Sequence, residues 1–305
     1  MKTLSLYLKS PKLFFQGIVG QTTRKCTKFI TSDKLYLKLM YWSAFGKRLN
    51  LKSPQSFSEK LQWLKLYNRQ QEYTIMVDKY AVKEYVKNRI GEEYIIPTIG
   101  VWSCVEDIEW EKLPKQFVLK STHDSGSVVI CKDITTFDKD SAIIRLRASL
   151  KHDYYRQSRE WPYKNVPRKI IAEQYIFPTP NTKSLPDYKF FCFDGNPKYC
   201  QVITGRGTNN MCIDFFDKDW NHQPFHEPKR YGFAKPEPLR PKRLDDMWNL
   251  AKKLAKDKPF SRIDFYQTED HIYFGEITFF PNGGFGGFEP ENYDLSFGKM
   301  ISLNI

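Results

Sequence analysis

Two short stretches far apart in the chain constrain it most: FVLKSTHDSGSVVICK around Lys120, and SRIDFYQTEDHIYFGEITF, which sets Arg262, Asp264 and Glu276 on one β-hairpin. The first alternates into a strand ending at Lys120, turns through the small polar run from Ser121 to Ser127, and returns as a second strand, Val128 to Cys131. A Ser/Gly turn beside a lysine offers backbone N–H groups and a cation to a polyphosphate. In the second stretch Asp264 and Glu276 lie on strands joined across Gln267 to Asp270, and strand register brings them onto one face. Two carboxylates so placed can share a hard Mg²⁺ that also takes phosphate oxygens. Each stretch alone also reads as ordinary surface, a solvated strand edge in one case and exposed charge in the other.

Charge is unevenly placed. Residues 1–65 contain 13 Lys or Arg against Asp33 and Glu59, which leaves only +2 of the net +13 to the other 240 residues. Leu4, Leu6, Leu8, Phe14, Phe15, Ile18, Leu35, Leu37, Leu39, Tyr41 and Trp42 are interleaved with these cations. A basic, apolar segment of this kind suits an anionic membrane surface or an acidic glycan. It equally suits short helices packed on a body with their lysines solvated. Nucleic acid ranks last among the partners, because no RNA- or DNA-binding motif accompanies the charge. No stretch approaches the roughly 20 apolar residues of a membrane span, and the start MKTLSLYLKSPKLFF has no small-residue cleavage site. A cytoplasmic protein, peripheral at most on the inner face of the membrane, is the expectation. The six cysteines show no CxxC spacing and fit a reduced compartment. His222 and His226 are separated by Pro224, so they do not share a helical face as metal ligands.

Punctuation gives the organisation. Ser56 and Glu59 form a capping-box pattern ahead of a helix to about Tyr67, and a second helix is expected from about Thr74 to Ile90, stopped by Gly91. Pro97 and Pro114 bracket a connector. Residues 138–150 read as a helix, and Lys151 to Arg168 as a long exposed loop, a lid or an insertion. Strands are expected at about 169–176, 187–193, 198–204 and 211–216, with Asp194-Gly195 as a tight turn, then a helix from Pro241 to near Lys256, the Asp264/Glu276 hairpin and a glycine-rich tail. Helices among mostly antiparallel hairpins indicate an α+β fold of two α+β lobes. Residues 1–70 read as a basic, mostly helical arm and 71–305 as the main region, with lobes at about 95–170 and about 170–305.

The order VDKYAVK, VLK with its small-residue loop, IIAEQYI, DYKFFCFDGNPKYCQVITGR, RID and GEIT resembles the ATP-grasp superfamily of carboxylate-amine ligases. More narrowly, SFSEKLQWLKLY and FGEITFFPNGGFGGFEP resemble the TupA-like ATP-grasp proteins of bacterial surface-polysaccharide gene clusters, across nearly the whole chain. The resemblance implies that ATP is bound with Mg²⁺. Lys79 and Lys120 match lysines that reach the α- and β-phosphates, and His123, Ser125, Gly126 and Ser127 match the loop that closes over them. Glu173 matches a residue at the adenine edge, the backbone near Tyr175 and Ile176 the linker that reads the base, and Asp187 the acidic residue near the ribose. Asp264 and Glu276 match Mg²⁺ ligands and Arg262 the arginine that steadies an acyl phosphate, while Lys189 and Arg206 match cations facing the phosphates and the acceptor. One position departs: Thr278 stands where an amide usually completes the metal set, with Asn282 as a nearby substitute.

The implied activity is an ADP-forming ligase that turns a carboxylate into an acyl phosphate and joins it to an amine. For a TupA-like protein the resemblance implies a uronic acid of a surface glycan, or its sugar-nucleotide precursor, and an amino acid or amino alcohol. Positioning and charge neutralisation carry such chemistry, and no serine or cysteine of this chain sits in a nucleophile-elbow context. Two other classes remain: a glycosyltransferase, whose Asp-x-Asp motif would have to be Asp217-Lys218-Asp219, and a nucleotide-binding module without catalysis.

Overall fold

The structure is a computed structural model in which residues 10–177, 185, 187–205, 209–227 and 232–303 are described. The chain divides into two compact units, one of Met1–Arg69, Tyr155–Trp161 and Phe280–Ile305, the other of Gln70–Tyr154 and Pro162–Phe279. The glycine-rich tail thus groups with the N-terminal segment. No helix among the described residues is long and apolar enough to cross a membrane.

The first unit is helical. Helix α1 (Pro11–Lys25) buries Gln16, Gly20 and Thr23, and lies close against α2 (Asp33–Phe45). A Cβ at Gly20 would stand 2.3 Å from Ser43 Oγ, so only glycine permits this approach. Helix α2 is capped by Ser32 and ends at Gly46 in the left-handed region, φ 65°, and its buried face of Tyr36, Leu37, Met40 and Tyr41 forms a small core with Leu49. Helix α3 (Phe57–Tyr67) starts with the full capping box of Ser56 and Glu59, as its sequence indicates. The run after Lys151 differs from expectation. It is no exposed loop: α7 (Tyr154–Ser158) and a 3₁₀ turn at Trp161–Asn165 occupy it, and Tyr155, Ser158, Arg159 and Glu160 are buried. Aromatic content was the signal, because Tyr155 needs apolar neighbours more than a solvated lid does. Lys65 ties the pieces together, its Nζ donating to Gln62 Oε1, Ser158 O and Gly283 O at 3.0, 2.7 and 2.6 Å. Burial pushes its ammonium down to about 7 against the pull of Glu160 and Asp33. The tail also holds a helix that its glycines concealed, α9 (Asn292–Lys299), whose Asp294 accepts from Ser58 N and Oγ at 3.2 and 2.9 Å.

The second unit holds two antiparallel sheets. Strands β1 (Thr98–Trp102), β2 (Phe117–Ser121), β3 (Val129–Cys131) and β4 (Ile170–Gln174) form one in the order β1-β4-β2-β3. Its core face of Phe117, Leu119, Ile170 and Ala172 packs on α6 (Lys139–Lys151) through Ala142 and Leu146. Strand β1 lies where a connector was expected; its single half-buried stretch lacks the alternation that marks β2. The expected helix from Thr74 to Ile90 is broken into α4 (Glu72–Val77) and α5 (Val82–Ile90). Asp78 breaks it by taking an extended ψ of 115° and accepting from Tyr80 N and Ala81 N at 2.8 and 3.2 Å.

The other sheet runs β7-β6-β5-β8-β9, from β5 (Asp187–Phe193), β6 (Asn196–Thr204), β7 (Cys212–Phe216), β8 (Phe260–Gln267) and β9 (Ile272–Thr278). Helix α8 (Leu244–Ala255), which starts three residues after Pro241, covers one face, with Trp248 edge-on to Phe190 at 5.5 Å. Asp194 and Gly195 turn β5 into β6 at φ 45° and 75°, as read from their pairing. Its aromatic inner face leaves the opposite face of β5, β8 and β9 to carry charge.

Candidate nucleotide and phosphate site

The second unit assembles this site from both sheets. On β2 the burial alternates, so Phe117 and Leu119 enter the core while Val118 and Lys120 take the other face. Glu173 on β4 is paired with Val118, and Lys120 Nζ reaches its Oε2 at 2.5 Å. Lys83 takes the other oxygen at 2.7 Å and also donates to Ile96 O and Thr98 Oγ1 at 2.7 and 2.8 Å. Lys83 is therefore saturated, whereas among the described residues Lys120 spends its ammonium on Glu173 alone. Burial opposes the charge of Glu173, but Lys120 and Lys83 outweigh it and hold the carboxyl below the usual range. Lys83 was missed as a site residue, although it lies four residues after Lys79 in the same VDKYAVK segment.

Lys79 sits in the bend between α4 and α5 and bonds to the carbonyl of Asp124, with its Nζ 4.0 Å from Asp124 Oδ1. Burial pushes its ammonium below the lysine range, and the charges of Glu276, Asp124 and Glu173 resist while that of Lys120 adds to the shift. The loop from His123 to Ser127 has buried feet and an exposed tip at Ser125 and Gly126, where φ is 96° and a Cβ would meet nothing. Asp124 pins it: Ser127 Oγ and Ser149 Oγ both donate to that carboxylate, and Ser149 Oγ lies 2.7 Å from Ser121 Oγ. The His123 ring is buried with Nε2 3.2 Å from His152 O. A carbonyl partner requires the proton on Nε2, and burial lowers the pKa of the ring, so it is a neutral group there and no phosphate cation. Tyr175 and Ile176 follow β4 half-buried, Tyr175 edge-on to Phe177 at 5.2 Å.

On the second sheet the register is direct: Gln201, Lys189, Asp264 and Glu276 stand opposite one another across β6, β5, β8 and β9. Arg262 grips Asp264 with Nε and Nη2, both at 2.7 Å, and shares Nη2 with Glu276 Oε1 at 2.8 Å and Thr278 Oγ1 at 3.1 Å. Lys189 bonds to Asp264 and stands 2.9 Å from Asp187 Oδ2. Burial alone would discharge this group. Instead Arg262 and Lys189 hold Asp264 below the carboxylate range, and Asp264 and Glu276 raise Arg262 above the arginine range. A bulge at Gly275 lets β9 pass Asp264, whose carbonyl would stand 3.1 Å from a Cβ there. Gln201 is buried with Nε2 unpartnered among the described residues, a group that sequence reading did not single out.

Net charge divides the site. Lys79, Lys83 and Lys120 face Glu173 and Asp124, one positive charge in excess; Lys189 and Arg262 face Asp187, Asp264 and Glu276, one negative charge in excess. Among the described residues no three His, Cys, Asp or Glu side chains gather as a metal cluster. Arg206 lies outside the described residues. Asn282 belongs to the first unit, at φ 51°. Asp217 closes a turn by accepting from Asp219 N and Asn221 N at 3.0 and 2.9 Å, and His222 bonds to Asp214 at 2.9 Å, so neither forms a further centre. All six cysteines are free.

A model of the family described as TupA-like ATPgrasp matches residues 59–302. No curated protein matches. Among solved structures, a D-alanine–D-alanine ligase from Bacillus anthracis complexed with ATP is 18% identical, covering 67% of this chain and 55% of its own at a TM-score of 0.39. The D-alanine–D-alanine ligase from Helicobacter pylori is 13% identical, covering 81% and 70% at 0.43. An ATP-grasp ligase, PsnB, complexed with a minimal precursor, Mg and ADP is 8% identical, covering 73% and 57% at 0.37. The chain spans little more than half the length of the first and last of these.

Proposed function

The chain belongs to the TupA-like ATP-grasp family, and from that membership and the charge geometry we propose that it is an ATP-dependent ligase joining a carboxylate to an amine. The acid is a uronic acid of a surface polysaccharide or of its sugar-nucleotide precursor, and the amine an amino acid or amino alcohol. The observation that carries the reading is the opposed charge of the two sheets, a lysine-rich side with spare donors on Lys120 and a carboxylate row across β5, β8 and β9. A bound polyphosphate neutralises the first and a cation the second.

A carboxylate is a poor electrophile because its charge repels nucleophiles. Its oxygen attacks the γ-phosphorus and ADP leaves; the amine nitrogen then attacks the acyl carbon, phosphate departs with the C–O bond, and the nitrogen loses a proton. Lys79 and Lys120 hold phosphate oxygens, and Asp124 fixes the root of the loop while Arg145 Nη2 holds the carbonyl of Gly126 at its exposed tip at 2.7 Å. Arg262 is oriented through Nε and Nη2, which leaves Nη1 without a partner among the described residues and available to the developing charge. The donors present fit Mg²⁺: two hard carboxylates in register, of which Glu276 has a side chain 39% exposed, with the Thr278 hydroxyl beside them. Glu276, Asp264 and Thr278 would hold the ion in place of their present contacts to Arg262 Nη2. When bound it would supply neutralisation of phosphate charge.

The test is ADP release from ATP with a panel of uronic acids and amines, with products weighed by mass spectrometry. Release that needs both partners, with a product equal to acid plus amine less water, is expected. Nucleoside diphosphate released from a sugar nucleotide without ATP would make the protein a transferase, and tight ATP binding with no turnover on any pair would make it a binding module.

A further inference from the structure

Helix α1 is built inside out for a helix in water. The residues it buries are Gln16, Gly20 and Thr23, while Phe14, Phe15 and Ile18 are 47%, 59% and 43% exposed. At 100° per residue the three apolar side chains fall opposite the buried stripe, so the hydrophobic face of α1 points away from α2. Gln16 Nε2 donates to Trp42 O at 3.2 Å and Ser43 Oγ to Gln16 O at 2.8 Å, so the polar face is fixed by hydrogen bonds and the helix does not simply roll over. Phe29, 83% exposed just past the helix end, is a further bare aromatic side chain on this segment. Exposed cations frame it: Lys12 at the start, Arg24 and Lys25 in the last turn, Lys28 beyond. No carboxylate lies between Pro11 and Ser32.

We propose that the exposed face of α1 is a membrane-docking surface that inserts Phe14, Phe15 and Ile18 into the interfacial layer of an anionic bilayer while the flanking cations meet lipid phosphates. Charge complementarity chooses this occupant. Aromatic and branched side chains ringed by Lys and Arg, without acidic residues, match the boundary between acyl chains and anionic headgroups. An acidic glycan would use the cations and leave the apolar face in water. The proposal draws on α1 and its flanks alone, so it stands or falls independently of the ligase reading.

The full chain is sedimented with vesicles of phosphatidylcholine alone and of phosphatidylcholine mixed with phosphatidylglycerol. Binding to the mixed vesicles, weakened by salt and at least about tenfold weaker on the neutral ones, is expected. The triple variant Phe14→Ser, Phe15→Ser, Ile18→Ser should lose at least about tenfold in vesicle affinity, since each removed side chain carries apolar area transferred to lipid. Its thermal midpoint and ATP affinity should hold, because none of the three fills a core. Should the triple variant misfold, Phe15→Ser alone reads the same direction with a smaller loss. Lys12→Gln, Arg24→Gln, Lys25→Gln and Lys28→Gln together should abolish the preference for phosphatidylglycerol. Triple-variant binding equal to that of the native chain, or equal binding to both vesicle types, overturns the proposal. So does native self-association that the triple variant loses without any vesicle binding, which would assign the face to a second copy.

Discussion

The β8–β9 hairpin and the β2–β3 hairpin both bring charge to the site, yet one fixes it by strand register and the other by hydroxyl bonds around a turn. On β8–β9, Asp264 is 1% exposed and both its oxygens are engaged by Arg262 and Lys189. On β2–β3, the charge at Lys120 rests on a single partner among the described residues, and the loop beyond it is held at its root by Asp124 and exposed at Ser125 and Gly126. The first is a rigid frame and the second a seat with an exposed edge. Catalysis by positioning needs both: a fixed place for developing charge, and a loop that admits and then covers the nucleotide.

The largest expected effect lies in the rigid frame, and it separates two carboxylates that sequence alone treats alike. Asp264→Asn leaves Arg262 and Lys189 buried without their shared counter-charge, which should cost about 3–5 kcal/mol of stability as well as activity. Glu276→Gln should lower turnover by about 10²-fold or more while moving stability by less than about 1 kcal/mol, because Glu276 is partly exposed and shares one guanidinium nitrogen. Urea titration and steady-state ADP release on both variants decide it. Equal stability losses would show that the register row does not divide the labour in this way.

On the β2–β3 side the effect should fall on binding. Lys120→Ala and Lys79→Ala each remove a cation from the phosphate side, and calorimetry should find ATP affinity lowered by about 10- to 100-fold. Lys83→Met should weaken ATP less than Lys120→Ala does, since its ammonium is already spent on Glu173, Ile96 O and Thr98 Oγ1. Unchanged affinity in both Lys120→Ala and Lys79→Ala would remove the phosphate role from this side.

The acid limb of stability offers a third comparison. Glu173 and Asp264 both have folded pKa values below their ordinary ones, so the stability they lend is present above the unfolded pKa and is lost as pH falls through the folded pKa. Unfolding free energy should therefore decline below about pH 4. Glu173→Gln should flatten part of that decline, read from urea midpoints between about pH 7 and pH 3. An acid limb unchanged by Glu173→Gln would place the titrating groups elsewhere. The lysines give the opposite limb: burial lowers Lys79 and Lys83, so the penalty for their buried charge is present below the folded pKa and is relieved as pH rises toward the unfolded lysine value, where the folded state sheds the proton first.

Sequence made the frame legible because alternation and turn chemistry are local. Strands β5, β6 and β7, the Asp194-Gly195 turn and the capping box at Ser56 are all written within a few residues of where they act. The hairpin carrying Asp264 and Glu276 was read from its turn, but their pairing needs the one-residue bulge at Gly275, which the sequence does not reveal. What stayed hidden depends on distant segments. Tyr155 and Arg159 read as loop because their partners, Asp33 and Thr27, lie more than a hundred residues earlier. Lys83 and Gln201 gain meaning only once β4 and β5 bring Glu173 and Lys189 opposite them. The exposed face of α1 was legible as composition, but its direction was not, since periodicity cannot say which stripe a neighbour takes when Gln16 and Gly20 win the contact.

The smallest effect tests the position where this chain departs from the usual acidic-x-Asn ending. Thr278 accepts from Arg262 Nη2 at 3.1 Å, and its Oγ1 lies 3.4 Å from Glu276 Oε1, so its hydroxyl joins the guanidinium to the more exposed carboxylate. Hydrogen bonds to charged partners are worth about 1.5–3 kcal/mol where buried, and less beside a partly exposed carboxylate such as Glu276. Thr278→Val keeps the branched shape that suits a strand and removes only the hydroxyl. The Mg²⁺ concentration for half-maximal turnover should rise by about 2- to 10-fold, with stability changed by no more than about 1 kcal/mol. Thr278→Asn, which restores an amide oxygen, should lower that concentration. If Thr278→Val leaves the Mg²⁺ dependence untouched while Glu276→Gln shifts it strongly, the ion is held by carboxylates and phosphates alone, and the hydroxyl serves only to orient Arg262.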